Sequence, residues 1–207
     1  MKKPICFLVV LSVLFVVTSF VASATSFEGD ASYLVGVGGS KSRGFVAHAM
    51  FEVIDQVLVD GSFLNTNATE AASGEGVDTT QSNSLFTAGG LYRVVNDADL
   101  QVFVGGGYLG LTTKSTGSND SSGHGIYAKF GFRFLPLPEL SLMADVSYAP
   151  KYKADTDVSG YLVSARATAS YEVMEGVGVQ GTIKHYRTSL TASSRDILVG
   201  GGVTFRF

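Results

Sequence analysis

The chain has 207 residues and a slight acidic excess, with 18 Asp and Glu against 15 Lys and Arg and a formal net charge of −3. A weakly acidic chain lacks the basic surface that nucleic-acid binding requires, so we expect no nucleic-acid partner. A single cysteine excludes a disulfide framework.

The first 24 residues have the three-part pattern of a secretory signal peptide. Two lysines come first, an apolar run extends over residues 5–21, and Ala22-Ser23-Ala24 supplies small residues at the cleavage site. A retained membrane-anchor helix is the alternative. We expect cleavage after residue 24, which removes Cys6 and leaves residues 25–207 as one domain.

Beyond residue 24, no apolar run approaches the ~20 residues of a spanning helix, but hydrophobicity alternates with period two, as in β-strands. The segments are long enough for tilted membrane strands of about 9–11 residues with some overhang. The predicted strands are 29–39, 44–54, 57–66, 84–95, 99–112, 125–135, 140–150, 159–173, 177–188 and 195–207.

Short and long connections alternate between these strands. Tight turns are predicted at 55–56, 96–98, 136–139 and 174–176. Polar loops rich in Gly, Ser and Thr are predicted at 67–82, 113–124, 151–158 and 189–194. Because outer-membrane barrels have short periplasmic turns and longer external loops, the pattern predicts a single antiparallel transmembrane β-barrel in the bacterial outer membrane. Ten strands are expected, and eight is the alternative count.

The contents of the two strand faces indicate which face meets lipid, since a soluble barrel shows the same alternation with its apolar face inward. One face is free of charge in most segments, for example at Phe130, Phe132 and Phe134, and carries Tyr and Phe near segment ends as an interfacial girdle would. We expect this face to contact lipid. The opposite face mixes small residues with charges of both signs. We predict a lumenal charge network of His48, Glu52, Asp60, Arg93, Lys129, Arg133, Asp145, Arg166, Glu172, Lys184 and Arg206.

The C-terminus resembles the assembly signal shared by outer-membrane proteins. Gly202, Phe205 and Phe207 match its glycine, its aromatic residue and its terminal aromatic residue, while Gly200 departs from the polar residue common at that place. This resemblance implies recognition by the barrel-insertion machinery.

The second half of the chain also resembles the YfaZ family of small outer-membrane proteins. The similar stretches are "LSLMADVSYAPKY" at 140–152, "VSARATASYEVMEGVGVQGTIKHYR" at 163–187 and the C-terminal strand. The resemblance implies the barrel fold and its location, and it implies no particular activity.

Two short motifs in this chain resemble a cofactor site or a metal site, but neither has the surroundings or the ligands that such a site requires. Residues 176–181 spell GxGxxG, but a dinucleotide site needs this motif before a helix, and here it starts at a tight turn and enters a strand. Asp155-Thr156-Asp157 offers too few oxygens for calcium, which takes six or more. We therefore predict no cofactor and no metal.

Candidate hydrolase residues are also poorly placed. His185 and Ser189 are four residues apart in a strand, too far for a base to activate a serine. Asp120, His124, Asp155 and Asp157 lie near the external end, where loop acids are usually solvated. The sequence therefore predicts that this protein is not an enzyme.

Basic residues concentrate toward the predicted external rim, where lipopolysaccharide phosphates lie. They are Lys41, Arg43, Lys114, Lys151, Lys153, Arg187 and Arg195. Because ammonium and guanidinium groups hydrogen-bond phosphate well, we expect contact with lipopolysaccharide. The predicted function is a structural or surface-interaction role for a monomeric barrel, and the alternative is a narrow porin-like channel.

Overall fold

The computed structural model describes residues 26–37, 42–70, 79–116, 120–154, 159–189 and 195–207. Within these residues the chain forms ten strands, each antiparallel to its neighbours, and the last pairs with the first to close a barrel. They are β1 (Ser26–Gly36), β2 (Ser42–Ile54), β3 (Val57–Glu70), β4 (Thr79–Asn96), β5 (Leu100–Ser115), β6 (Ser121–Leu137), β7 (Leu140–Ala154), β8 (Ser159–Met174), β9 (Val177–Thr188) and β10 (Arg195–Arg206). The predicted ten-stranded barrel is confirmed, whereas the predicted signal peptide lies outside the described residues.

The closing pair, β1 with β10, shows why the C-terminal strand has its glycines and its terminal aromatic residue. The amide of Phe27 donates to the carbonyl of Phe207 at 2.7 Å, and the amide of Phe207 donates back at 2.8 Å. A Cβ atom at Gly200 or Gly202 would overlap the main chain of β1, so both glycines permit the close approach. Closure satisfies backbone groups that would otherwise be unpaired in hydrocarbon.

The two faces of the wall differ as the sequence predicts. Phe130 is 50 % exposed on the outside, while the adjacent Lys129 is 6 % exposed on the inside. Large apolar side chains are exposed around the outer surface on every strand from β1 to β10. A belt of this extent is stable against acyl chains and not against water, so the protein is an integral outer-membrane barrel.

The strands run further toward the external end than the sequence predicts. β4 begins at Thr79 and β6 at Ser121, so the strands extend into both ends of the predicted loops 67–82 and 113–124. Polar side chains link these extensions, as where Asn65 donates to Ser84 at 2.8 Å and Thr113 donates to Asn83 at 2.8 Å. Outside the bilayer both faces are polar, so hydrophobic alternation disappears although the hydrogen-bonded ladder continues.

The opposite end has the predicted tight turns. Gln56 and Gly176 occupy the left-handed region there, with φ of 66° and 74°. The carbonyl of Gln56 accepts a hydrogen bond from the amide of Arg93 at 2.8 Å, which holds the β2–β3 turn against β4. No helix in the described residues is long and apolar enough to cross a membrane.

Candidate functional site

The interior of the external half is filled with apolar side chains. We call this group the outer apolar layer. Its members are Leu34, Val46, Leu64, Leu85, Leu109, Leu111, Tyr127, Ala149, Tyr152, Leu162, Tyr186 and Leu198. All are nearly inaccessible to solvent. From the sequence we expected small and charged residues throughout the lumen, so this layer was not predicted, although Leu34 and Leu64 share the inward parity of Asp30 and Asp60.

In the outer apolar layer, the hydroxyl groups of Tyr152 and Tyr186 have hydrogen-bond partners. Tyr186 accepts a hydrogen bond from the side-chain amide of Asn83 at 3.3 Å, and Tyr152 donates to the carbonyl of Leu111 at 3.1 Å. These bonds tie β9 to β4 and β7 to β5 across the lumen. The layer is therefore cross-linked from several sides of the wall, as expected for buried phenols.

Below this layer, six side chains from six strands form a closed cycle of ion pairs, which we call the ion ring. Its members are Asp30, His48, Asp60, Lys129, Asp145 and Arg166.

One half of the ion ring centres on Asp60. His48 places Nδ1 at 3.0 Å from Asp30 and Nε2 at 2.7 Å from Asp60. Lys129 then donates to both oxygens of Asp60 at 2.9 Å.

The other half centres on Asp145 and completes the cycle. Lys129 lies 3.7 Å from Asp145, which accepts from Nε of Arg166 at 3.0 Å. Arg166 also donates to Asp30 at 3.2 Å, and Gln180 donates to the second oxygen of Asp30 at 3.1 Å.

Both ring nitrogens of His48 face carboxylate oxygens, so this side chain bridges Asp30 and Asp60. Lys184 lies beside Arg166 on the adjacent strand and is also buried, adding a further positive charge at this level.

A second set of charges closes the end near the short turns. Arg93 lies 3.2 Å from Glu52, Arg133 donates to Glu28, and Nε of Arg206 lies 3.8 Å from Glu28. A small apolar cluster separates this set from the ion ring. Its members are Met50, Leu58, Leu91, Phe103 and Met143. Glu172 accepts a hydrogen bond from the amide of Gly176 at 3.2 Å and so supports the β8–β9 turn.

The structure thus places every residue of the predicted charge network on the inward face, in two separate levels. Sequence reasoning missed Glu28 and Asp30, both on β1, which complete these levels. The signal was present, because Asp30 alternates with the outward-facing Ala31 and Tyr33. Which level each charge joins depends on the register between strands, as in the pairing of Asp145 with Arg166.

The predicted rim residues whose side chains the structure describes lie on four different strands, β2, β5, β7 and β9. Arg43, Lys114, Lys151, Lys153 and Arg187 are exposed, and Lys114 lies 3.9 Å from Asp120. Lys41 lies outside the described residues, and of Arg195 the structure describes the backbone at the start of β10.

The candidate hydrolase residues also remain separate where they are described. His124 points outward and stacks on Tyr108, with 5.9 Å between ring centroids. His185 faces outward on β9. Asp155 and Asp157, which also formed the candidate calcium motif, lie outside the described residues. Of the assembly signal, Gly202 faces inward, and Phe205 and Phe207 face lipid.

Comparison with known proteins identifies a fold and no family. No family model matches the sequence, and no curated protein matches it. Among solved structures, the chain is similar to outer membrane protease OmpT from Escherichia coli, with a TM-score of 0.63, 10 % identity, and coverage of 89 % of this chain and 98 % of that chain.

Two further barrels have lower scores. The outer membrane protein Ail of Yersinia pestis has a TM-score of 0.47 and 14 % identity, covering 88 % of this chain and 99 % of that chain. The COG4313 outer membrane channel from Pseudomonas putida F1 has a TM-score of 0.45 and 14 % identity, covering 88 % of this chain and 95 % of that chain. Of the three, the protease is the one whose score indicates a shared fold.

This similarity corrects one expectation from the sequence. From the sequence we predicted that this protein is not an enzyme, and the similarity contradicts that exclusion, because an outer membrane protease has the same fold. The exclusion rested on the spacing of His, Ser and Asp along the chain, and spacing does not show which loops meet in three dimensions. At 10 % identity the likeness concerns the fold alone and assigns no catalytic residue.

Proposed function

We propose that this protein acts through its outer surface, as a sealed barrel with a structural or surface-interaction role whose external rim contacts lipopolysaccharide. The observation that carries the proposal is the packed lumen. The outer apolar layer fills the external half and the ion ring crosses the barrel below it.

Two different barriers lie in series along the barrel axis. A polar solute that enters from outside meets leucine and tyrosine side chains packed against one another. A solute that passes this layer would have to replace ion pairs that are themselves buried, which leaves charges uncompensated. These barriers disfavour the narrow-channel alternative.

The lipopolysaccharide part of the proposal rests on the distribution of charge. Arg43, Lys151 and Arg187 are exposed at the external ends of three strands. The short turns carry acids instead, at Asp55, Asp97, Glu139 and Glu175. Phosphates at the external leaflet would meet cations, and charge-assisted hydrogen bonds to phosphate are among the stronger polar contacts.

Planar-bilayer recording tests the sealed lumen. Residues 25–207, refolded and inserted into a bilayer, should show no steady current steps. The double variant Leu64→Ala, Leu198→Ala is the matched comparison, because it lacks two large side chains of the outer apolar layer. Steady openings of a defined size in the unmodified barrel would contradict the proposal and favour transport.

The rim contact has its own test in cells. Changing Lys151 and Lys153 to Glu reverses two exposed charges near the end of β7. We expect increased sensitivity to detergents and large antibiotics, because the variant repels neighbouring lipopolysaccharide. An unchanged sensitivity at equal barrel abundance would count against the contact.

We propose that residues 1–24 are removed as a signal peptide, which places the new N-terminus next to Ser26, the first residue of β1. N-terminal sequencing of protein from the outer membrane tests this. We also propose kinship with the YfaZ family on the basis of residues 140–152, 163–187 and the C-terminal strand.

A further inference from the structure

The lipid-facing surface of β6 to β10 contains an elongated apolar groove. It consists of two adjoining cavities of about 400 Å³ and about 500 Å³, which share Phe132, Ala144, Ala167 and Ile183. The first extends toward the external end as far as His185, and the second extends the other way to Gly181.

The strand register explains the shape of the groove. Phe132, Ala144, Ala167 and Ile183 occupy one row across four strands, because each is paired with the next. Small side chains form the middle of the row, and large ones stand at its sides. In the next row toward the turns, Ala169 is paired to Gly181, so the small residues shift by one strand toward β9. A Cβ atom at Gly181 would meet no atom within 4 Å, so the wall is open to the outside there.

Positive charge lies at the external end of the groove. Arg187 is exposed and lies two residues beyond His185 on the same face of β9, about 7 Å away. Tyr148 is level with Arg187, with Val163 of β8 between them, and its ring lies 6.5 Å from that of Tyr161 between centroids. Aromatic residues at this level mark the membrane interface. Lys151 and Lys153 follow further out on β7.

We infer that the groove and Arg187 together bind one lipopolysaccharide molecule of the external leaflet. An acyl chain lies along the groove, and a phosphate group is held at Arg187 with Lys151 beside it. The inference rests on the proposed function and assigns its rim contact to one side of the barrel. A concave wall gives the chain more van der Waals contacts than the convex surface elsewhere, and the guanidinium adds a charge-assisted hydrogen bond.

Charge also distinguishes this occupant from a second copy of the barrel. Two barrels that met symmetrically along their grooves would place Arg187 of each at the same height in the membrane. Their like charges would repel at the external end. An anionic headgroup has the complementary charge at that position.

The test measures lipid that stays bound to the refolded barrel, residues 25–207, after washing in detergent. Purified lipopolysaccharide and phosphatidylglycerol serve as separate probes, and bound lipid is quantified by phosphate and fatty-acid analysis. Gly181→Leu fills the groove, and Arg187→Gln removes the cation. Gly90→Leu is the matched control, because Gly90 faces lipid on β4 and a Cβ there lies 3.9 Å from the nearest atom.

We expect Gly181→Leu and Arg187→Gln each to weaken lipopolysaccharide binding about tenfold, the effect of losing about 1.4 kcal/mol of contact. Gly90→Leu should bind as the unmodified barrel does, and Arg187→Lys should recover part of the loss. Folding of each variant is checked by circular dichroism. Ala167→Leu fills the same groove if Gly181→Leu does not fold.

The possible failures are distinguishable. If the unmodified barrel binds lipopolysaccharide and the groove variants bind it equally, the groove inference is wrong while the rim contact stands. If the unmodified barrel retains none, the proposed rim contact fails as well. If the unmodified barrel retains as much phosphatidylglycerol as lipopolysaccharide, the groove binds bulk lipid and does not select lipopolysaccharide. Cross-linked dimers that disappear in Gly181→Leu would assign the groove to a second copy. Either of these last two results also overturns the inference.

Discussion

The outer apolar layer and the ion ring fill neighbouring levels of the same narrow lumen with opposite chemistry. The layer packs leucine and tyrosine side chains whose attraction has no fixed direction. The ring depends on donors and acceptors at 2.7 to 3.7 Å, each shared between two partners. The layer is therefore expected to lose stability in proportion to what is removed, and the ring to fail as a unit.

The ion ring and the outer apolar layer also contribute differently to the fold. Buried ion pairs add little net stability compared with apolar packing, because each charge loses its water. Removal of one partner, however, leaves the other charge buried and unpaired. We therefore expect the closed ring, which spans six strands, to penalise wrong strand pairings and the apolar layer to supply more of the stabilising contact.

The largest effect is expected when the ring is broken at Asp60, which contacts both His48 and Lys129. Asp60→Ala leaves His48 and Lys129 without the carboxylate that they share and should lower the free energy of unfolding by about 3–5 kcal/mol. Urea unfolding in lipid vesicles, followed by circular dichroism, measures this. Adding Lys129→Met should restore part of the loss. A loss under about 1 kcal/mol would show that the ring does not behave as a unit.

A smaller loss is expected in the outer apolar layer. Leu198 is 0 % exposed, and Leu198→Ala should cost about 2–4 kcal/mol through lost contacts and a residual cavity. The same urea titration measures it. No partner change should rescue this variant as Lys129→Met rescues the ring, and such a rescue would remove the distinction between the two levels.

The inside and outside of the wall should respond differently to one added methyl group. A Cβ atom at Gly131 would overlap the ring of Phe103 in the lumen, so Gly131→Ala should cost about 1–2 kcal/mol. Gly90→Ala, which faces lipid with open space beside it, is the control and should change stability by less than about 0.5 kcal/mol. Equal effects at both positions would argue against a packed lumen.

The smallest effect is expected for an ion pair outside the barrel. Lys114 and Asp120 lie 3.9 Å apart, with side chains 66 % and 62 % exposed. Asp120→Ala should therefore change the unfolding free energy by less than about 0.5 kcal/mol, and added salt should mask even that. A loss as large as that of Asp60→Ala would mean that burial does not explain the strength of the ring.

Local alternation was sufficient to predict the ten strands, their two faces and the short turns. It located Phe130 outside and Lys129 inside because neighbouring strand residues point to opposite faces. It did not predict that β4 begins at Thr79, since alternation of hydrophobicity ends where both faces meet water.

The contacts between lumenal side chains could not be predicted from single strands, because they depend on how the strands pair. The contact between Arg166 and Asp30 joins residues far apart in sequence, and it follows from the register of strands and the closure of the barrel. The same holds for the lipid-facing groove, whose small residues Ala144 and Ala167 lie side by side because they are paired across strands. A list of inward and outward residues predicts neither.

The accessibility of one lumenal cysteine tests the sealed barrel most directly. Residues 25–207 contain no cysteine, and Ser147 faces the lumen beside Lys129 with 7 % of its surface exposed. Ser147→Cys should resist a charged, membrane-impermeant thiol reagent while folded and react after unfolding in urea, whereas Thr116→Cys at the exposed external end should react in both states. Reaction of folded Ser147→Cys at the rate of Thr116→Cys would mean that water and solutes reach the ion ring, and the account of a packed lumen would be wrong.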